Sequence, residues 1–394
     1  MRKITKAGVG AIGAATLLVG GLAGPALADA SAGPSDFVAV GSDTVQNVAN
    51  FLFEGDQNGD LGFNSANKLT RVFSFDANGD ANGRALYALG ATSNLPVTAV
   101  LRTGTLPVPR PNGSGAGIAA LTADSVGGTG YVNSGYPTLP NGSINIVRAS
   151  RLPKLSELQA CQAITDCGGL HVFQFAYDNL QAATAVTTNA VSNLTVLQLA
   201  HIFQCDTGYT TWNGSGLGGT STDTVIPVIP QSGSGTRNFF IADLTAALPG
   251  FALGACVQTG QEHDPSSIYS NAHAADVIMP FSTAKIALIN GTEPGGKQYF
   301  GSAEAGKITT DFTGGAGYNT SRGLYFVVRD FDLTNAAPYN ATATKNIFQY
   351  LFQGSTSFVA KSANAALIQA AGLSTATDPI SGPAYQDLGD VTSG

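Results

Sequence analysis

From Phe37 onward the chain alternates short apolar runs with turn signals and stretches of helical spacing. The run FVAVGSD (37–43) reads as a strand ending in a glycine turn. In TVQNVANFLFEG (44–55) apolar residues fall at 45, 48, 51 and 52, the spacing of one helix face. INIVRAS (144–150), VFQFAYD (172–178) and VIPVIP (225–230) predict buried strands. LTVLQLAHIF (194–203), TRNFFIADLTAAL (236–248) and TKNIFQYLF (344–352) predict helices. Such alternation predicts an α/β architecture with mainly parallel sheets. Residues 206–224, around the single Trp212, and residues 122–143 are rich in Gly, Ser, Thr or Asn and predict loops. The last ten or so residues, including DLGDVTSG, predict a loosely held tail.

Several strand ends and helix starts carry small hydroxyl residues and glycine. After VIPVIP, the segment SGSGT (232–236) opens the helix TRNFF. A helix N-terminus exposes unpaired N–H groups and the positive end of the macrodipole, so it attracts anions. Glycine removes the Cβ that would hold an oxyanion away, and Ser or Thr adds a hydroxyl. The segment is not a nucleotide P-loop, because no Gly-Lys-Ser/Thr follows. The pattern recurs at Asn112-Gly-Ser-Gly-Ala-Gly117, at Gly41-Ser-Asp-Thr44 and at Ala149-Ser150-Arg151. Four such corners meeting at one point would surround a tetrahedral oxyanion. None of Ser114, Ser150 or Ser234 lies in a G-x-S-x-G elbow, which argues against a serine hydrolase and leaves a binding protein, not an enzyme.

Composition narrows the compartment and the partners. Arg2, Lys3 and Lys6 precede an apolar run and then PALADA, the pattern of a secretory signal peptide over residues 1–28, cut after Ala28 or Ala30. With that segment gone, 16 Lys and Arg face 26 Asp and Glu, a net charge of −10. No basic track for nucleic acid is present, so attraction for an anion has to be local. Cys161, Cys167, Cys205 and Cys256 all lie in the exported part, where disulfides persist. Three pairings are open to four cysteines; the favoured one joins Cys161 to Cys167 and Cys205 to Cys256. Their spacing is not that of a zinc site. No cysteine near the cleavage site offers a lipid anchor, which points to a secreted protein; a monomer is expected. His171, His201, His263 and His273 sit on unrelated segments, and His201 lies within an apolar helix pattern. Asp56-Gln-Asn-Gly-Asp60 and Asp76-Ala-Asn-Gly-Asp80 resemble the start of a calcium loop but lack its Gly at position 6 and Glu at position 12, so turns are the favoured reading.

From about Phe37 to Leu373 the chain resembles the PstS family, the substrate-binding proteins of phosphate ABC transporters. The resemblance rests on VSNLTVLQLAHIF (191–203), followed by Thr211-Trp-Asn213 and by Ser234-Gly-Thr-Arg237. GLYFVVRDF (323–331) and the closing FVAKSANAALIQAAGL (358–373) are similar to the family's return strand and terminal helices. The resemblance implies an α/β, two-lobe periplasmic-binding-protein type II fold with two hinge crossings, FQFAYDNLQAATAV (173–186) and GLYFVVRDF. Lobe I would be 31–181 plus 325–394 and lobe II 182–324. It also implies phosphate or a similar oxyanion as ligand, an ABC permease as partner and no cofactor. The implied ligand-binding residues are Asp43, Thr44, Ser114, Ser150, Arg151, Ser234, Gly235 and Thr236. Asp43 stands where Ser or Thr is usual, Arg151 where a proton-accepting Asp is found, and Pro230 where many members carry an anion-pairing Arg. On this reading Arg151 supplies the cation and Asp43 the acceptor. The plainer readings keep Asp43 as a helix cap and Arg151 as a surface ion-pair partner. A second class of function, a secreted or cell-wall-associated interaction protein that has lost phosphate, is favoured by the same departures.

Overall fold

The structure is a computed structural model that describes residues 32–56, 58–77, 98–131, 136–291, 305–310, 317–336, 345–376 and 383–393. The expected signal peptide and Asp80 lie outside these residues. In chain order the strands are β1 (Phe37–Gly41), β2 (Val72–Ser74), β3 (Thr98–Ala99), β4 (Val108–Pro109), β5 (Ile146–Ala149) and β6 (Leu170–Ala185). They continue as β7 (Ile226–Pro230), β8 (Gln258–Gly260), β9 (Val277–Ser282), β10 (Ile308–Thr309), β11 (Asn319–Arg329) and β12 (Gln386–Gly389).

One sheet runs β2-β1-β5-β11-β6-β9-β7-β8, with β10 and β12 also paired to β6, while β3 and β4 form a separate ribbon. The expected parallel pairing holds within two groups. In one, β1 lies parallel to β2 and β5; in the other, β7 lies parallel to β8 and β9. Between them sit β6 and β11, antiparallel to each other and to their outer neighbours. The sheet is therefore mixed, because the chain enters the second group along β6 and returns along β11. At roughly 3.3 Å per residue, the 16 residues of β6 reach about 50 Å, enough to belong to both groups. Its first part pairs through β11 with β5, and Leu180–Ala183 pair with β9.

Helices cover the sheet where the periodicity places them. Residues Gln46–Glu54, Val196–Gln204, Gly235–Ala247 and Ile347–Phe352 are helical. Thr195 caps the second of these through a reciprocal Ser/Thr-x-x-Gln capping box with Gln198. One core cluster lies within the β1–β5 group and another within the β7–β9 group. A third spans both, joining Val48, Phe173 and Phe326 to Phe281 and Ile289. Trp212 is fully buried in the loop expected at 206–224, its indole N–H donating to Asp276 Oδ1 at 3.0 Å. The Asp56 carboxylate accepts the N–H groups of Asn58 and Asp60, an Asx-type turn. No described helix is long and apolar enough to cross a membrane.

The chain end is not a loose tail. β12 pairs with β6, and Ser393 N–H donates to Pro153 O at 2.8 Å. His171 holds the strand in place: Nδ1 lies 3.0 Å from Asp330 Oδ1 and Nε2 lies 2.6 Å from Asp387 Oδ1 on β12. The cysteines pair Cys161–Cys167 and Cys205–Cys256, closing loops of 6 and 51 residues.

Two predictions follow from these tethers. On the chain-entropy account, the pair Cys205→Ser/Cys256→Ser costs about 4 kcal/mol of unfolding free energy and Cys161→Ser/Cys167→Ser about 2; urea titration at one pH gives both, and equal costs contradict the loop-length account. At His171, burial works against the charged ring, but hydrogen bonds and charges from Asp330 and Asp387 outweigh it and raise its pKa. A raised value stabilises the fold fully below the unfolded pKa of about 6.5, and that gain fades as pH climbs through the higher folded value. The melting-point gap between the parent and His171→Gln should therefore be constant between about pH 5 and 6.5, where Asp330 and Asp387 are ionised, and narrow above it. A gap that stays level up to pH 9 rules the linkage out.

Candidate functional site

The hydroxyl-bearing corners come together. β1 ends at Gly41, and the next residue, Ser42, donates its hydroxyl to Ser150 Oγ at 3.1 Å. Ser150 follows the end of β5; its N–H donates to Ser114 Oγ at 3.0 Å, and the two hydroxyls lie 3.4 Å apart. Ser114 opens the helix Ser114–Ala123 after Gly113, whose φ is 100°. A Cβ on Gly113 would sit 2.5 Å from Gly233 O, in the turn before the helix Gly235–Ala247. Only glycine fits both that conformation and that approach. Gly115 N–H donates to the same carbonyl at 3.1 Å. A Cβ on Gly235 would collide with Ser150 Oγ and lie 2.5 Å from Ser114 Oγ. The 232–236 turn is thus pressed directly onto the 114 and 150 corners.

Ser234 caps the helix Gly235–Ala247, its hydroxyl accepting Arg237 N–H at 3.0 Å. This leaves the N–H of Thr236 free to point beyond the helix end, and it donates to Glu262 Oε1 at 3.2 Å. Thr236 Oγ1 lies 3.3 Å from Thr44 Oγ1, and Thr44 donates to Glu262 Oε1 at 3.4 Å. Ser42, Ser114, Ser150, Ser234, Thr236 and Glu262 are wholly buried.

Charge is concentrated beneath this cluster. Asp43 Oδ1 lies 3.0 Å from Lys285 Nζ and 3.2 Å from His263 Nδ1. Burial raises the Asp43 carboxyl, but Lys285 and then His263 outweigh it and hold the pKa below the ordinary carboxylate value. Lys285 also donates to Asn47 Oδ1 at 2.7 Å. Arg322 on β11 donates to its ladder partner Asp178 through Nε at 3.0 Å and Nη2 at 2.7 Å. Its Nη1 donates to Thr236 Oγ1 at 2.8 Å, and Nη2 to Thr44 Oγ1 at 3.4 Å. Ser282 completes the Asp178 shell with a 2.7 Å bond. Asp43 Oδ2 and Glu262 Oε2 are buried with no hydrogen-bond partner among the described residues.

The structure therefore gathers Asp43, Thr44, Ser114, Ser150, Ser234, Gly235 and Thr236 in one buried cluster, joined by close packing at Gly235 as well as by hydrogen bonds. Asp43 does not cap the adjacent helix, whose first turn has no side-chain cap. Arg151 lies beside the network but its guanidinium is bound to Glu157 by two hydrogen bonds of 2.8 and 2.6 Å and to Leu152 O. The ion pair is part-buried, with the Arg151 side chain 6% and the Glu157 side chain 20% exposed. Pro230 offers its carbonyl to Arg237 Nη1 at 2.8 Å. The cation beside the hydroxyls is Arg322, which the sequence reading did not single out; nor did it single out Glu262 or Lys285. One signal was available: Gln261-Glu262-His263-Asp264 is a dense polar run in a chain with only 11% charged residues. No group of His, Cys, Asp and Glu that would hold a metal ion occurs among the described residues.

The family described as the PBP superfamily domain matches residues 100–353. Among solved structures, the chain is similar to an ABC-type phosphate transport receptor from Vibrio cholerae, at 18% identity over 86% of this chain and 99% of that one, with a TM-score of 0.45. It is also similar to an ancestral soluble variant of the human phosphate binding protein, at 13% identity over 86% of this chain and 90% of that one, with a TM-score of 0.48. No curated protein matches the chain.

The Asp178–Arg322 pair generates a stability prediction. Removing one partner strands a buried charge, so Arg322→Ala should lower the unfolding free energy by about 3–5 kcal/mol. The double change Asp178→Leu/Arg322→Met removes both charges and should recover most of that loss in urea titrations. A double variant as unstable as the single one contradicts this reading.

Proposed function

The chain belongs to the PBP superfamily, and on that premise we propose that it is an exported solute-binding protein that captures an oxyanion, inorganic phosphate first, for uptake by an ABC permease. The lobes are 31–181 with 325–394, and 182–324, with ligand held between them. One observation carries the reading: four corners far apart in sequence, at Ser42–Thr44, Ser114, Ser150 and Ser234–Thr236, meet in one buried place, where Ser42, Ser150 and Ser114 are hydrogen-bonded to one another, Thr44 lies against Thr236, and Gly235 is pressed onto Ser114 and Ser150. Hydroxyls, a helix N-terminus and the Arg322 guanidinium are the donor set that a tetrahedral oxyanion accepts from. They are drawn from both lobes, so binding would favour the closed form and exclude water. No bond is made or broken.

Asp43 sets the choice among oxyanions. Its Oδ2 is buried without a partner, so it accepts a hydrogen bond from the P–OH of hydrogen phosphate. Sulfate carries no proton at neutral pH and meets only repulsion, which leaves a buried charge unsatisfied. A second reading, an interaction protein that has lost phosphate, has one observation in its favour: a carboxylate of the chain itself, Glu262, already accepts the Thr236 N–H.

Calorimetric titration of the mature protein with phosphate, sulfate and a phosphonate separates these readings. Phosphate should bind, sulfate at least tenfold more weakly, and Asp43→Asn should narrow that difference. Absence of any phosphate heat would leave the interaction-protein reading; an unchanged preference in Asp43→Asn would remove Asp43 from the selection step.

A further inference from the structure

Glu262 makes the contacts an oxyanion would make. Its Oε1 accepts from the Thr236 N–H at the start of the 13-residue helix Gly235–Ala247, and from the Thr44 hydroxyl that follows β1. One carboxylate oxygen thereby joins donors from both sides of the network. Its other oxygen, Oε2, is equally buried and has no hydrogen-bond partner among the described residues. A buried carboxylate half satisfied in this way is unfavourable relative to one in water. It persists only where the surrounding structure holds it.

That hold is visible. Glu262 N–H donates to Gln231 Oε1 at 2.7 Å, Gln231 Nε2 donates to Asn112 Oδ1, and Asn112 Nδ2 donates to Gln261 Oε1. The turn after β8 is thus clamped between the 231 and 112 segments. The next residue, His263, has a φ of 54° although it is not glycine, a conformation that stores strain. The turn is shaped to carry a carboxylate into this position, at some energetic cost to itself.

We propose that Glu262 is a built-in counter-ligand. In the ligand-free protein its carboxylate satisfies the Thr236 N–H and Thr44 hydroxyl and latches the two sides together, and an incoming oxyanion must displace it. The latch sets a threshold, because part of the oxyanion's binding free energy goes into removing the carboxylate. Weakly bound anions fail to displace it, and the affinity of the site is lower than its donor set alone would give. The inference rests on the oxyanion reading of the site and adds a competing internal anion to it.

Inorganic phosphate is the probe, with the mature parent protein, Glu262→Gln and Glu262→Ala. Glu262→Gln keeps an acceptor for the Thr236 N–H but loses the charge, so it guards against a fold defect in the alanine variant. Phosphate should bind Glu262→Gln at least tenfold more tightly than the parent. Equal or weaker binding in a folded Glu262→Gln overturns the proposal and makes Glu262 a ligand contact or a structural residue. Small-angle scattering supplies a readout that needs no ligand: Glu262→Ala should have a larger ligand-free radius of gyration than the parent. If no variant binds phosphate, the oxyanion reading falls, and expansion of Glu262→Ala decides the latch alone; an unchanged radius overturns it.

Discussion

Buried carboxylates must be matched by buried cations, and the centre of this molecule is organised around that constraint. Asp43 and Asp178 are almost or entirely removed from solvent, as are Lys285 and Arg322, which pair with them. Leaving any one of these charges uncompensated would take away a large part of the stability of an ordinary domain. The matching runs between segments that the sheet alone does not join. Lys285 reaches Asp43 from the helix that follows β9, and Arg322 reaches Thr44 and Thr236 together while bound to Asp178 on the neighbouring strand. Packing of the hydroxyl corners is thus a consequence of charge pairing as well as of apolar burial.

Much of the fold could be read from periodicity, because each element states its own pattern. The strands 37–41 and 226–230 and the helices 46–54, 196–204 and 235–247 lie within a residue or two of their apolar spacing. The four hydroxyl corners were equally readable, since Gly and Ser at strand ends and helix starts are local features. Arg322, Lys285 and Glu262 were not. Arg322 and Lys285 sit in a strand and a helix whose local text gives no reason to prefer them, and they acquire their roles from partners more than 80 positions away, as in Arg322 with Thr236 or Lys285 with Asn47. Glu262 stands out locally only as part of the polar run 261–264, and its donors Thr236 and Thr44 lie 26 and 218 positions away. The cation expected at Arg151 shows the same limit: Glu157, six residues on, claims its guanidinium. The chain end misled for a related reason, because polar DLGDV owes its order to a ladder with β6 and to His171.

Two parallel groups joined by an antiparallel pair give the molecule both its division and its coupling. β6 and β11 are continuous through the middle, so relative movement of the groups has to bend or twist those strands. The core cluster that contains Phe173, Phe281 and Ile289 resists such movement by crossing the same boundary. The hydroxyl and carboxylate network lies between residues of both groups and supplies polar contacts that exchange far more readily than packed rings. Motion is therefore more easily concentrated at the polar face than along the apolar one.

The acidic character of the chain does not conflict with a site for anions. At physiological ionic strength the field of distant surface charges decays over about 8 Å, whereas the donors at Thr236, Thr44 and Arg322 act at hydrogen-bond range in a dry environment. What matters is the local balance, and there the carboxylates of Asp43, Asp178 and Glu262 outnumber the permanent cations Lys285 and Arg322. A further full negative charge placed among them would face repulsion at short range and low dielectric, where it is strongest. Under the proposed oxyanion capture, two exits exist: the anion brings a proton that a carboxylate can accept, or a carboxylate leaves. Asp43 is fixed by two partners and Asp178 by its two-point grip on Arg322, while Glu262 is held through one oxygen by two weaker contacts of 3.2 and 3.4 Å. Of the three, Glu262 has the weakest anchoring, and that difference is what supports placing the proposed movable charge on the turn after β8.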